Sequence, residues 1–276
     1  MNALAAAVGR HETVRDRLSA APLAALAATL DREPPQQTVP PLWHWVAFTP
    51  KAPASEIGAD GHPKRGGFLP ALDLPRRMWA GGRIEWHASL HVDEAVERRS
   101  TIVHAEEKTG RSGRLAFVTL RHEVHGAGGL ALVEEQDIVY REPPRADAVP
   151  PTAPTAPADE TCARSVVPDP VLLFRYSALT FNAHRIHYDR PYATGVEGYD
   201  GLVVHGPLIA TLLMDLAQHE LGAGDPVRFA FKAVSPLADT SPFSVCGRPD
   251  GPGRLALWAR AAQGRLAMQA DLQFRT

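Results

Sequence analysis

Two cysteines are all that 276 residues contain, and Cys162 and Cys246 share no CxxC spacing. That excludes a disulfide framework and a cysteine-based zinc site, and it points to a reducing compartment, the cytoplasm. Long apolar runs are missing as well. The opening stretch "MNALAAAVGRHETVRDRL" turns charged almost at once and has no basic segment before it, so neither a signal peptide nor a membrane span is expected. There is no excess of one charge: 29 Lys and Arg stand against 31 Asp and Glu, for a formal net charge of −2. A nucleic-acid or anionic-membrane partner is therefore not expected.

Proline and histidine are plentiful, at 25 and 12 residues, within a composition (45% apolar, 22% charged) ordinary for a globular protein. The prolines concentrate in "REPPRADAVPPTAPTAPADETCARSVVPDP". Lacking apolar periodicity, this region reads as an extended, semi-rigid linker over 143–170, between domains at 1–142 and 171–276. Both flanks carry period-two alternation. Before the linker it appears in "IEWHASLH", "RLAFVTLRHEVH" and "LALVEEQDIVYR"; after it, in "VRFAFKAV", "RLALWARA" and "RLAMQADLQF". Alternation of this kind marks antiparallel strands with one wet and one buried face, and strand following strand excludes a doubly wound parallel fold.

In the second half, "GPLIATLLMDLAQHELG" predicts a helix. Pro207 suits its first turn, Gly222 the position past its end, and Leu208, Ile209, Leu212, Leu213 and Leu216 form a broad apolar face. In the first half, helical signal lies in "ETVRDRLSA" and "PLAALAATLDRE", with a short apolar stretch at "PPLWHWVAFTP". The expected class is α+β: one buried helix wrapped by an antiparallel sheet, twice over.

Chemistry concentrates in "LTFNAHRIHYDRPYA", shortly ahead of "VHGPL". Asn182, His184 and His187 would face the start of the helix at Gly206, whose first backbone N–H groups lack intrahelical partners and suit a polarised carbonyl or oxyanion. A His near neutral pKa, a side-chain amide and an oxyanion hole are parts for adding water to a carbonyl-activated alkene, or removing it. On spacing alone a polar surface loop is the commoner reading, with His205 a residue that caps or packs the helix start. No metal is expected, because "HRIH" offers two ligands and no third at an obvious spacing. The rings of "HEVH", His122 and His125, fall on opposite faces of a strand and read as ordinary surface.

The run "FNAHRIHYDRPYA" with "EGYDGLVVHGPLIATLL" resembles the MaoC-like hydratase/dehydratase motif, and "FKAVSPLADTSPFSVCG" is similar to the strand and loop next in order in those proteins. "PPLWHWVAFTP" and "DGHPKRGGFLPALDLPRRMWAGGRIEWH" look like the type-2 hydroxyacyl-thioester dehydratases and their mesaconyl-C4-CoA and itaconyl-CoA hydratase branch. The resemblance runs from about Pro40 to the C-terminus. It implies a double hot-dog fold whose first hot dog binds the acyl chain and has lost catalysis. It also implies a hydro-lyase acting on an enoyl-CoA thioester, most simply a short dicarboxylic one.

Carried over by position, His187 is the catalytic base, Asp189 the acidic residue two further on, and Gly206 the carbonyl-polarising glycine. Asn182 stands where the wider superfamily has Asp, and His184 where it has Asn. An amide cannot act as a base but can hold a water. His184, Arg185, Asp189 and His205 are expected to line the substrate. A substrate carboxylate would need a cation, for which Arg185, Arg76, Arg77 and Arg83 are candidates. Coenzyme A enters only as part of the substrate and no cofactor is expected; a homodimer is compatible with the family. The rival expectations are an (R)-3-hydroxyacyl thioester dehydratase of fatty-acid synthesis, a thioesterase, and a non-catalytic acyl-thioester binder.

Overall fold

A computed structural model describes residues 4–110, 113–142 and 153–276. Among these, the first half contributes β1 (His11–Arg17), α1 (Ala20–Thr29), β2 (Arg76–Trp86), β3 (Ala95–Gly110), β4 (Gly113–Gly126) and β5 (Gly129–Arg141). The second contributes β6 (Cys162–Val166), α2 (Pro170–Thr180), α3 (Arg190–Gly195), α4 (Gly206–His219), β7 (Pro226–Ala233), β8 (Phe243–Pro249), β9 (Arg254–Ala261) and β10 (Leu266–Phe274). The ten strands form one continuous sheet in the order β1-β3-β4-β5-β2-β7-β10-β9-β8-β6. Every neighbouring pair is antiparallel.

That order reads the same from either edge, with each half supplying five strands and the halves meeting where β2 pairs with β7. At this seam Gly82 faces Phe231 and Ile84 faces Phe229. A Cβ on Gly82 would lie 3.0 Å from the Phe231 ring, so the missing side chain is what lets the ring lie over the seam.

The halves differ beneath the sheet. In the second, α4 runs under β8, β9 and β10, and every residue from Leu208 to Ala217 is buried. A helix apolar on nearly all sides must be enclosed in this way. Its one buried carboxylate, Asp215, is held by Arg32 from the first half (2.8 and 2.7 Å) and Arg164 from β6 (2.8 Å). Removing either cation leaves a buried charge less compensated.

The first half has no counterpart of α4 among the described residues, so the expectation of a buried helix in each half is corrected. Between α1 and β2 the chain makes only short 3-10 turns at Trp43–Val46 and Ala54–Glu56. Polar groups lie under this half instead. Glu134, 5% exposed, accepts from Trp45 Nε1 at 3.1 Å and meets His44 Nε2 at 3.2 Å. His122 is buried against Ser100 Oγ at 2.8 Å, not on the surface as the "HEVH" spacing suggested.

Other expectations change too. "ETVRDRLSA" is mostly strand β1, registered on β3, because pairing at the sheet edge overrides a charge-rich sequence with little apolar alternation. The strand expected over "IEWHASLH" leaves the ladder after Trp86. Residues 143–152 of the expected linker lie outside the described residues. The remainder is anchored: Ala156 N–H donates to Gly264 O, and Cys162–Val166 forms the edge strand β6 on β8.

Candidate active site

The loop between α2 and α3 is built by local rules. Asp169 caps α2, accepting from the Leu172 N–H at 2.8 Å, and Pro170 opens the first turn. The helix stops at Phe181, which adopts a left-handed φ of 49°, and the Asn182 N–H turns back to Ser177 O. Asn182 Oδ1 then accepts from the His184 N–H at 3.1 Å, an Asx turn that aims the chain into a 3-10 turn over Arg185–His187.

His187 is 7% exposed, and its Nδ1 lies 2.7 Å from Val203 O. A carbonyl can only accept, so Nδ1 carries the proton and Nε2 is left with its lone pair. Burial pushes the pKa down to about 4, outweighing the Val203 hydrogen bond, so the ring is neutral at physiological pH. The Val203 N–H donates to Ile186 O, which ties this carbonyl to the same turn.

His205 stacks on His187 with ring centroids 3.7 Å apart and 18° between planes. Its Nε2 meets Ser177 Oγ at 2.8 Å, while its Nδ1 is buried without a partner. The next residue, Gly206, opens α4, with Pro207 in the first turn and no side chain capping the helix. The mouth of α4 therefore adjoins the His187 imidazole. Trp79 of β2 borders it: its carbonyl lies 3.9 Å from where a Cβ on Gly206 would sit, and its ring packs against Trp45 at 5.2 Å and Phe231 at 5.9 Å. An oriented base, free amides at a helix start and an apolar wall are the parts that enoyl-thioester hydration requires.

His184 continues the cluster outward, its ring 5.5 Å from His187 and 4.1 Å from His62. His62 Nδ1 lies 3.1 Å from Asp60 Oδ2. Burial lowers the pKa of both outer rings, and the His62 contacts hold Asp60 below the usual carboxylate range despite its own burial. Donor atoms of Asp60, His62 and His184 lie within 4.8 Å of one another, a three-ligand set that the spacing of "HRIH" did not reveal. The Asp60–His62 contact already gives two of these groups a partner.

This arm comes from the first half through Gly61, which has φ +90°; a Cβ there would fall 1.7 Å from Ala183 O. The Arg185 N–H donates to Asp60 O at 2.9 Å across the same junction. Sequence reasoning missed Asp60, His62 and Ser177. The first two stand in "DGHPKRGG", but over a hundred residues separate them from the loop they join.

Several expected substrate contacts are otherwise engaged. Arg185 binds Asp189 at 2.9 and 2.7 Å and lies over the Tyr192 ring, and Asp189 Oδ1 caps α3 at 3.1 Å from Tyr192 N. Both therefore shape the loop. Arg83 projects from the sheet face opposite Ile84 and the core, binding Glu135 and Asp137 at 2.8 and 2.7 Å.

The fold is a MaoC-like hot dog, and the family and relative that match the chain make it a hydro-lyase. The family model for hydroxyacyl-thioester dehydratase type 2 matches residues 42–239, and the chain belongs to that family. It is 48% identical to mesaconyl-C(4)-CoA hydratase of Chloroflexus aurantiacus over 272 residues, covering 96% of each chain. To the mitochondrial hydroxyacyl-thioester dehydratase type 2 of Schizosaccharomyces pombe it is 26% identical, covering 84% of this chain and 88% of that one. Among solved structures, HtdX of Mycobacterium tuberculosis superposes with a TM-score of 0.69 at 20% identity, covering 96% of this chain and all of that one. A MaoC-like dehydratase of Phytophthora capsici gives 0.72 at 11% identity, covering 97% of this chain and 96% of that one. At such identities these two establish the shared fold.

Proposed function

We propose that this chain reversibly hydrates a short dicarboxylic enoyl-CoA thioester, with mesaconyl-C4-CoA as the substrate. The relative at 48% identity over nearly the full length supports the substrate. The observation that carries the chemistry is the His187 Nδ1 bond to Val203 O at 2.7 Å beside the start of α4. With the thioester carbonyl on the Gly206 N–H, the conjugated double bond is polarised. His187 Nε2 takes a proton from water as the water oxygen bonds to the β-carbon, and the electron pair moves to the thioester oxygen, stabilised at the helix start. Return of a proton to the α-carbon completes hydration; dehydration runs the same steps backward. Asn182 Oδ1 is engaged by the Asx turn, so its amide hydrogens are the groups that hold the water.

The matching strand order of the two halves supports a double hot-dog reading, with residues 1–142 serving acyl binding and 171–276 catalysis. A cytoplasmic homodimer is the proposed working form; among the described residues no helix is long and apolar enough to cross a membrane. The test is to mix the enzyme with mesaconyl-C4-CoA and follow the enoyl-thioester absorbance and free thiol. Loss of absorbance without thiol release is expected. Thiol release would indicate hydrolysis, and no change would reject the assignment.

A further inference from the structure

We infer that Arg77 binds the distal carboxylate of the acyl group and so sets the preference for dicarboxylic thioesters, an assignment that rests on the proposed substrate. A narrow cleft beside His184 has a free volume of about 20 Å³, room for one small polar group. Arg76, Arg77, Arg141, Asp60 and Glu197 line it together with His184. Three of its charged groups are already engaged internally. Arg76 Nε binds Glu197 Oε2 at 2.9 Å, both side chains 15% exposed, and Asp60 is taken by His62. Arg77 and Arg141 have no carboxylate partner among the described residues, so the cleft carries uncompensated positive charge facing the imidazole cluster. That charge reaches the rings: after burial, Arg77 is among the charges that lower the pKa of His62 and His184.

Chemistry places an anion here. In mesaconyl-C4-CoA the free carboxylate is attached to the β-carbon, the atom that water attacks. Its counter-cation must therefore lie close to the base. The cleft adjoins His184, whose ring is 5.5 Å from that of His187. Of the cations the sequence suggested, Arg83 lies on the outer sheet face with two carboxylates, Arg185 is bound to Asp189 and Arg76 to Glu197; Arg141 shares the cleft, but Arg77 is the cation whose charge acts on both His62 and His184. A guanidinium facing a carboxylate can make two parallel N–H···O bonds, which a methyl group in the same position cannot accept.

The test compares kcat/KM for mesaconyl-C4-CoA with that for crotonyl-CoA, which has no distal carboxylate, in wild type, Arg77→Met and Arg77→Lys. Arg77→Met should lower the ratio about a hundredfold, and Arg77→Lys should recover part of it. If crotonyl-CoA turns over too slowly to assay, competitive inhibition constants of succinyl-CoA and butyryl-CoA give the same ratio. Thermal melting checks the fold, and Arg77→Lys carries the test if the Met variant does not fold. An unchanged ratio in the folded variants, or equal losses on both substrates, overturns the role of Arg77. A wild-type enzyme inactive on mesaconyl-C4-CoA instead overturns the substrate reading.

Discussion

At the scale of single residues, one hydrogen bond fixes what His187 can do: the proton sits on Nδ1 and the basic lone pair on Nε2. His187→Ala should lower hydration turnover at least about a hundredfold while the melting temperature stays within a few degrees; near-normal turnover would reject the base assignment. The ring's pKa of about 4 sets a second expectation. Only the neutral ring accepts a proton, so kcat/KM for hydration should stay level as pH falls past 6.5, where an exposed imidazole would titrate, and decline only toward 4. A limb near 6.5 in the initial-rate profile would contradict the buried, neutral ring. That His184 and His187 would lie near the helix start at His205 and Gly206 was legible because both runs are short and sit close together in the chain. The fates of Arg185 and Arg83 were not, since a sequence does not say which carboxylate a guanidinium will meet. Asp60 and His62 were hidden for a related reason: only folding brings distant, irregular chain against the loop.

Among elements, the loop carrying Asp60 and His62 docks through a position that only glycine fills. Gly61→Ala combines an unfavourable φ with overlap of Ala183 O, at a cost of about 1–3 kcal/mol or more, relieved by the loop lifting away. The Arg185 amide, which donates to Asp60 O, should then exchange its hydrogen faster, and kcat/KM should fall at least about tenfold. Protection equal to wild type would show that the loop stays docked by other means. Helix α4 was readable from Pro207 and its leucines because burial, capping and length agree. Strand β1 was not, because a charged edge strand owes its conformation to β3 rather than to its own residues.

For the whole molecule, the buried imidazoles make acid the weak side. His122 and His187 are each pushed to about 4 by burial, and His62, His184 and His205 are also lowered. The unfolded chain protonates these groups near 6.5, before the folded one does. The stability they confer is therefore complete above 6.5 and lost as pH falls toward 4, on the order of 3 kcal/mol each for His122 and His187. Melting temperature should drop steadily between pH 7 and 5, and a flat profile would show that these rings are more solvated than their burial implies. The antiparallel class was legible in period-two alternation. The lack, among the described residues, of a helix like α4 under the first half was not, because the residues that lie there have no periodicity to read.

That asymmetry means the two halves meet the site through different kinds of chain. His187 and the start of α4 are placed by the second half, whereas the irregular strap from α1 to β2 brings Trp45 against Trp79 and docks Asp60, Gly61 and His62 on the loop that carries His184. Exchanging strap segments outside Asp60–His62, together with Arg77, should therefore change which acyl group is admitted while the His187–Val203 bond is kept.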